Sequence, residues 1–449
     1  MNLLKYWDRL RSSFWFVPAV MTLAAAGLAS GIVSLDRSES LAWLHRLPMI
    51  YTGTPEGASS VLSGISSGMI TIAGVVFSMT LVALSLASGQ FGPRLLRNFM
   101  RDTTNQVVLG TFVATFLYCL LVLRSIRFGE GDAAFVPDLA VTLSIVGAVG
   151  AMGVLIYFIH HVAISIQADH VVARVGEEFV DQVDMLFPEH LGDPDGDTDP
   201  EEEDFDAVAA RFSATGDRNR STVCLERDGY LQAIDAEEHL QIAREADLRI
   251  KLLTAPGDYV IAGVPVAVIH PRPDDETLRA LRKGFILGRE RTTLQDPSFP
   301  LDQLVEMAVR ALSPGVNDPF TAARCLDRLT SGLVRAGRRR RPSAVRLDAE
   351  GVPRVWAPLR DFQHLLHRAC DGIRPHTAGS AQTIQDLMRM LATLAGEVRR
   401  AEDAQAVREQ AAALVRVGRD SLTEPRDLER LEGLYAGVSQ TMRIPAEVD

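Results

Sequence analysis

Lysine is almost missing from this chain of 449 residues: only Lys5, Lys251 and Lys283 stand among 46 basic residues, and the rest are Arg. Arginine clusters are therefore part of the general composition and signal less than they would elsewhere. Cysteine is sparse too. Cys119, Cys224, Cys325 and Cys370 lie far apart and lack zinc-ligand spacing, so they read as small buried hydrophobes in a reducing compartment. No P-loop, dinucleotide-binding glycine pattern, HExxH or nucleophile elbow occurs. The expectation is a protein that is not an enzyme and uses no cofactor or metal.

A basic surface is also lacking in most of the chain. Residues 1–165 carry 10 Lys+Arg and 8 Asp+Glu, leaving 36 and 49 for the remainder, so the net charge of −11 divides into +2 and −13. An acidic C-terminal part cannot neutralise phosphates, which argues against nucleic acid as a partner.

What the N-terminal third does have is apolar runs. Four spans are expected at about 14–33, 61–88, 103–123 and 139–161. The first follows Lys5, Arg9 and Arg11 but is longer than a signal-peptide core, so it reads as a retained anchor. No Asp, Glu, Lys or Arg sits in the middle of any span, which argues against a proton- or cation-coupled carrier. Lys5, Arg9, Arg11, Arg94, Arg97 and Arg101 outnumber Arg37, Arg46, Arg124 and Arg127 in the opposite connections, placing both termini in the cytoplasm.

The second span has one unusual face. Ser60, Gly64, Ser67, Thr71, Gly74, Ser78, Leu81, Ser85 and Ser88 recur at three- and four-residue steps, and only Leu81 interrupts a stripe that is otherwise small or hydroxylated. Such a stripe either packs closely against another helix or lines water, with Leu81 as a constriction. Gly92-Pro93 ends or kinks the helix, and Arg94, Arg97 and Arg101 then share a face. They form a positive cytoplasmic mouth under the second reading and obey the positive-inside rule under the first.

At the end of the fourth span the helix is expected to run on through residues 166–188. His160, His161 and Asp169 there form a candidate pH or metal site, because His161, Ser165 and Asp169 would share a helical face. Histidines that reach headgroups or pack between helices are the plainer alternative. Residues 189–206 are an acidic, solvated linker, since Thr198 stands where a calcium-binding loop needs glycine. Short β segments follow to residue 273 (STVCLE, YLQAI, LRIKLLT, YVIAG, VPVAVI), with a helix over 235–246 opened by an Asp235/Glu238 capping box. The PGDYVIAGVPVAVI hairpin resembles those of lipoyl-like and barrel-sandwich folds. From Asp274 onward helices are expected at 275–290, 302–312, 318–336, 360–373, 381–399, 403–418 and 425–440, with Arg338–Arg341 as a solvated loop.

One long motif stands out, GRERTTLQDPSFPLDQLVEMAVRALSPGVNDPFTA. Its Arg289, Arg291, Asp296, Asn317 and Asp318 surround an apolar helix face and read as a hydrogen-bonded subunit interface or folding clamp. Together with GVVFSMTLVALSLASGQFGPRLLRNFMRD, FIHHVAISIQ and PGDYVIAGVPVA, it resembles a bacterial family of predicted inner-membrane proteins of unknown function. The resemblance implies inner-membrane location and this order of domains, and it implies no activity. The expected fold class is four transmembrane α-helices followed by a cytoplasmic α+β domain, with a small β-barrel-like part and then a helical part. The expected function is a homo-oligomeric, channel-like protein in the lipid bilayer, passing inorganic ions or small solutes. The alternative is a membrane-anchored sensor or scaffold whose cytoplasmic domain binds a ligand or partner.

Overall fold

The computed structural model describes residues 15–37, 50–91, 103–129, 135–165, 167–187 and 219–441. The chain divides into two compact units, Met1–His170 and Val171–Asp449. The basic N-terminus, Gly92-Pro93, Arg94, Arg97, Arg101 and the acidic linker lie outside the described residues.

The first unit holds four apolar helices: α1 (Phe16–Asp36), α2 (Pro55–Phe91), α3 (Thr103–Ser125) and α4 (Asp138–Ser165). Each is long and apolar enough to cross a bilayer. The third is the most enclosed, because α1, α2 and α4 all pack on it. Gly110 marks a close approach of α3 to α1: a Cβ there would lie 2.6 Å from Met21 Sδ and 3.2 Å from Pro18 Cα. One apolar cluster gathers Ala29, Val33, Leu62, Tyr118, Val122 and Val141. A second gathers Met69, Val76, Phe112, Ala151, Phe158 and Val162. Polar ties between helices sit at one end. Asp36 accepts hydrogen bonds from the Leu139 and Ala140 amides at 3.3 and 3.0 Å, placing a carboxylate at the positive N-terminal end of α4. Tyr118 donates to the Ala140 carbonyl, and the Tyr51 amide to Thr142 Oγ1.

The expected continuous helix beyond residue 161 is interrupted: α4 ends at Ser165, and α5 (Ala168–Leu186) begins after a bend at Gln167. Within the second unit α5 packs on α9 (Pro319–Arg338) through glycines, since a Cβ on Gly332 would lie 2.2 Å from the Phe179 ring. Arg339 donates to the Asp184 and Phe187 carbonyls at 2.9 and 2.6 Å, closing the C-terminal end of α5. Arg338 pairs with Glu397, and Arg341 with Asp361. Arg338, Arg339 and Arg341 are therefore paired with acidic residues far away in sequence, while Arg338 and Arg340 stay solvent-exposed.

Among the described residues, eight short strands make two sheets. Strands β1 (Ser221–Cys224), β3 (Arg249–Leu252), β5 (Pro265–His270), β7 (Val345–Leu347) and β8 (Pro353–Trp356) form one, in the order β1-β5-β3-β8-β7. Strands β2 (Gly229–Ile234), β4 (Tyr259–Val260) and β6 (Phe285–Gly288) form the other, in the order β4-β2-β6. In β3, Ile250 and Leu252 are buried while Arg249 is exposed and Lys251 half-buried, the period-2 pattern of a strand with one covered face. Helix α6 (Ala236–Glu245) begins as expected, with Asp235 accepting from the Glu238 amide at 3.1 Å. The helix expected over 275–290 stops early. Helix α7 (Asp275–Lys283) ends at Gly284, and β6 leaves to pair with β2, Phe285 opposite Ile234. The remaining helices are α8 (Ser298–Ala311), α10 (Phe362–Ile373), α11 (Ala381–Glu397), α12 (Ala401–Ser421) and α13 (Pro425–Thr441).

Candidate functional site

The stripe on α2 faces away from its own bundle. Ala58, Leu62, Ser66, Met69, Ala73, Val76 and Ala83 form the buried face of the helix. Ser60, Gly64, Ser67, Thr71, Gly74, Ser78, Leu81 and Ser85 are all exposed. The offset of two residues between the two sets turns them about 200° apart on a helix of 3.6 residues per turn. Leu81 is 50% exposed, and a Cβ on Gly64 or Gly74 would meet nothing within 4 Å. Thr71 donates to the Ser67 carbonyl at 2.8 Å, so its hydroxyl is satisfied within the helix. Ser88 belongs to the same helix, but its side chain is outside the described ones. The small residues therefore do not serve contacts with the neighbouring helices of the same chain.

The histidine group does not assemble as spaced. The bend at Gln167 breaks the helical face that was to join His161 and Ser165 to Asp169. His160 and Asp169 are exposed, and the His161 ring stacks on Tyr157 with centroids 5.8 Å apart. Among the described residues no three His, Cys, Asp or Glu side chains gather as metal ligands.

The long motif builds a charged cluster inside the second unit. Arg291 donates through Nε and Nη2 to Asp296 Oδ2 at 3.0 and 2.6 Å, and through Nη1 to Asp302 at 2.6 Å. Asp296 is 1% exposed, and its other oxygen accepts from the Ser298 amide. Arg368 holds Asp302 from the opposite side. The Pro256-Gly257-Asp258 turn closes against this cluster. Gly257 has φ +96° and leaves no room for a side chain, since a Cβ would lie 2.2 Å from Asp296 Oδ2. Asp258 accepts from Arg360 at 2.5 Å and from the Ala255 amide at 2.8 Å, and Arg360 Nη1 meets His364 Nε2 at 3.2 Å. Burial opposes charge on Arg291, but its two carboxylates outweigh it and lift its pKa above the usual value. Burial pushes the Asp296 carboxyl up, with Arg291 pulling the other way.

Of the five motif residues, the structure joins Arg291 and Asp296. Asp318 instead caps α9, accepting from the Thr321 amide and hydroxyl at 3.1 and 2.6 Å, and those bonds hold its pKa below the usual carboxylate range. Arg289 and Asn317 are exposed, and Asn317 adopts φ +48° in the turn before α9. Beside it Val316 and Phe320 are 59% and 68% exposed. Sequence reasoning missed Asp302, although it lies within the motif, and Asp258, Arg360, His364 and Arg368, which are separated from it in the chain. It also missed Asn105 and Gln106, buried at the start of α3, because only charged residues were sought in the spans. Asn105 is 2% exposed, and among the described residues neither of its amide atoms has a hydrogen-bond partner.

Four apolar helices followed by a domain of helices and small sheets define a membrane protein with a folded C-terminal part. The chain belongs to the family described as predicted membrane protein (DUF2254), which matches residues 11–393. Uncharacterised proteins of Mycobacterium bovis and Mycobacterium tuberculosis are each 33% identical to it over 447 residues, covering 98% of this chain and 82% of theirs. No solved structure matches the chain.

Proposed function

We propose that the protein is a homo-oligomeric, channel-like protein of the bacterial inner membrane, in which the outward face of α2 lines a passive path. The observation that carries this reading is the exposure of the whole Ser60–Ser85 stripe, which has no packing role within its own chain. Hydroxyls and glycines around a symmetry axis give a path for ions or small solutes, and Leu81 closes it by dewetting. Arg94, Arg97 and Arg101 favour anions at the cytoplasmic mouth. Both termini are cytoplasmic in this reading, the C-terminal unit forms a vestibule, and no catalytic step is involved. Leu81→Ser tests it directly: in proteoliposomes the variant is expected to pass chloride faster than the wild type. Equal flux, or no flux in either, refutes the channel.

A sensor or scaffold is the second reading. It is favoured by a groove of about 470 Å³ between α11 and α13, lined by Gln385, Arg389, Arg430, Gly433 and Leu434. Inorganic phosphate that stabilises the full chain against heat, with the gain lost in Arg430→Gln and no flux through proteoliposomes, would select this reading.

A further inference from the structure

We infer that Asp258, Arg360 and His364 form an acid-released latch that fastens the 256–258 turn, and the segment it begins, to the start of α10. This inference stands apart from the channel reading, because every group in it lies within the second unit.

The latch has three members in series. Asp258 sits on the turn that leads into β4, Arg360 just before α10, and His364 on the first turn of α10. Arg360 bridges the other two through different nitrogens, Nη2 to Asp258 Oδ1 at 2.5 Å and Nη1 to His364 Nε2 at 3.2 Å. A guanidinium only donates, so the contact with His364 is a hydrogen bond only while Nε2 is unprotonated and accepting. A proton taken from solvent at Nε2 turns that acceptor into a donor. Two donors and two positive charges then face each other, and Arg360 must move away, which also draws it off Asp258.

The surroundings of His364 decide how easily this happens. Arg360 and Arg368 face it with positive charge; Asp361 on its own turn and Asp302 from α8 face it with negative charge. Asp302 is already held by Arg291 and Arg368, and Asp361 is paired with Arg341. Asp296, the next carboxylate in the cluster, is held by Arg291. The acids that could welcome a histidinium are thus committed elsewhere. Burial, then Arg360 and Arg368, keep the His364 pKa below its ordinary value, so the imidazole is neutral near neutral pH.

What the latch controls is also defined. The Gly257 amide donates to the Leu231 carbonyl at 2.7 Å, and the Leu231 amide to the Asp258 carbonyl at 2.9 Å, so the turn is stitched to β2. Beyond it β4 and β5 join different sheets instead of pairing as the expected hairpin, and the 259–264 segment exposes Tyr259, Ile261 and Val264. Releasing Asp258 loosens the attachment of this apolar tip.

Hydrogen exchange on the full chain in detergent, read in peptides covering residues 229–264 and corrected for intrinsic exchange, tests the latch. Between about pH 7.5 and about pH 5.5 the wild type is expected to lose roughly tenfold in protection, because a histidinium is favoured once the turn has opened. His364→Gln, which accepts but does not titrate, is expected to keep its protection at both pH values. Arg360→Gln, which removes the bridge, is expected to show low protection at both, with no further acid loss. An equal acid loss in His364→Gln assigns the effect to another group, such as the buried His239, and overturns the latch. So does a wild type that shows no loss.

Discussion

The two units use their polar groups in opposite ways. In the membrane unit many hydroxyl groups turn back on their own helix: Thr22, Ser30, Ser34, Thr71, Thr80, Thr111 and Thr115 each donate to the carbonyl four residues earlier. Self-satisfied hydroxyls say nothing about which helix lies next door, so the bundle takes its arrangement from close approach, as at Gly110, and from ties at one end near Asp36, Tyr51 and Tyr118. In the second unit polar groups reach across the chain. Arg291, Arg360 and Arg368 tie a turn and two helices together, and Arg339 closes a helix more than 150 residues away. The membrane unit is thus fixed by shape and the second unit by charge. Substitutions should tell them apart.

The largest effect is expected where charge does the fixing. Arg291→Ala leaves Asp296, 1% exposed, and Asp302 without their central cation. Removing one partner of a buried pair costs about 3–5 kcal/mol, because the remaining charge stays desolvated. Urea unfolding of the second unit, followed by tryptophan fluorescence in the full chain, should show a loss of that size. A loss under about 1 kcal/mol would mean that the cluster is wetter than its burial indicates.

Shape gives the next effect, as a contrast between two glycines. Gly110→Val drives a side chain into Pro18 and Met21 and is expected to cost about 1–3 kcal/mol, seen as a lower Tm in detergent. Gly64→Val meets nothing within its own chain, so the isolated protomer should change by less than about 0.5 kcal/mol. If the stripe meets other copies, the same variant lowers the oligomer size on a sizing column while leaving the protomer folded. Equal loss of Tm in both variants would erase the distinction between the inward and outward faces of α2.

These two faces show where the sequence was legible and where it was not. The stripe could be read because small residues recur at helical spacing, a property of one segment alone. Its direction could not, since rotation of a helix about its axis is set by partners elsewhere in the chain. The Asp235 cap was legible for the same local reason: donor and acceptor are three residues apart. Strand β8 was missed because its pairing with β3, Val355 opposite Ile250, spans more than a hundred residues and leaves no periodic trace in four positions. In the charged cluster the Arg291–Asp296 pair lies within five residues, whereas Asp258, Arg360 and Arg368 are brought to it by the fold.

The smallest expected effect probes a place where the membrane unit departs from its own rule. Asn105 is polar and buried, yet among the described residues it neither turns back on its helix nor ties to another. An unpartnered amide in an apolar setting costs roughly 1–3 kcal/mol, so a side chain of similar volume without polar atoms should be tolerated or preferred. Asn105→Leu is therefore expected to leave the Tm in detergent unchanged or to raise it by the equivalent of about 1 kcal/mol. A clear fall in Tm would mean that the amide is satisfied after all, by water or a bound solute held at the start of α3. That end of the bundle would then be fixed by polarity and not by shape alone.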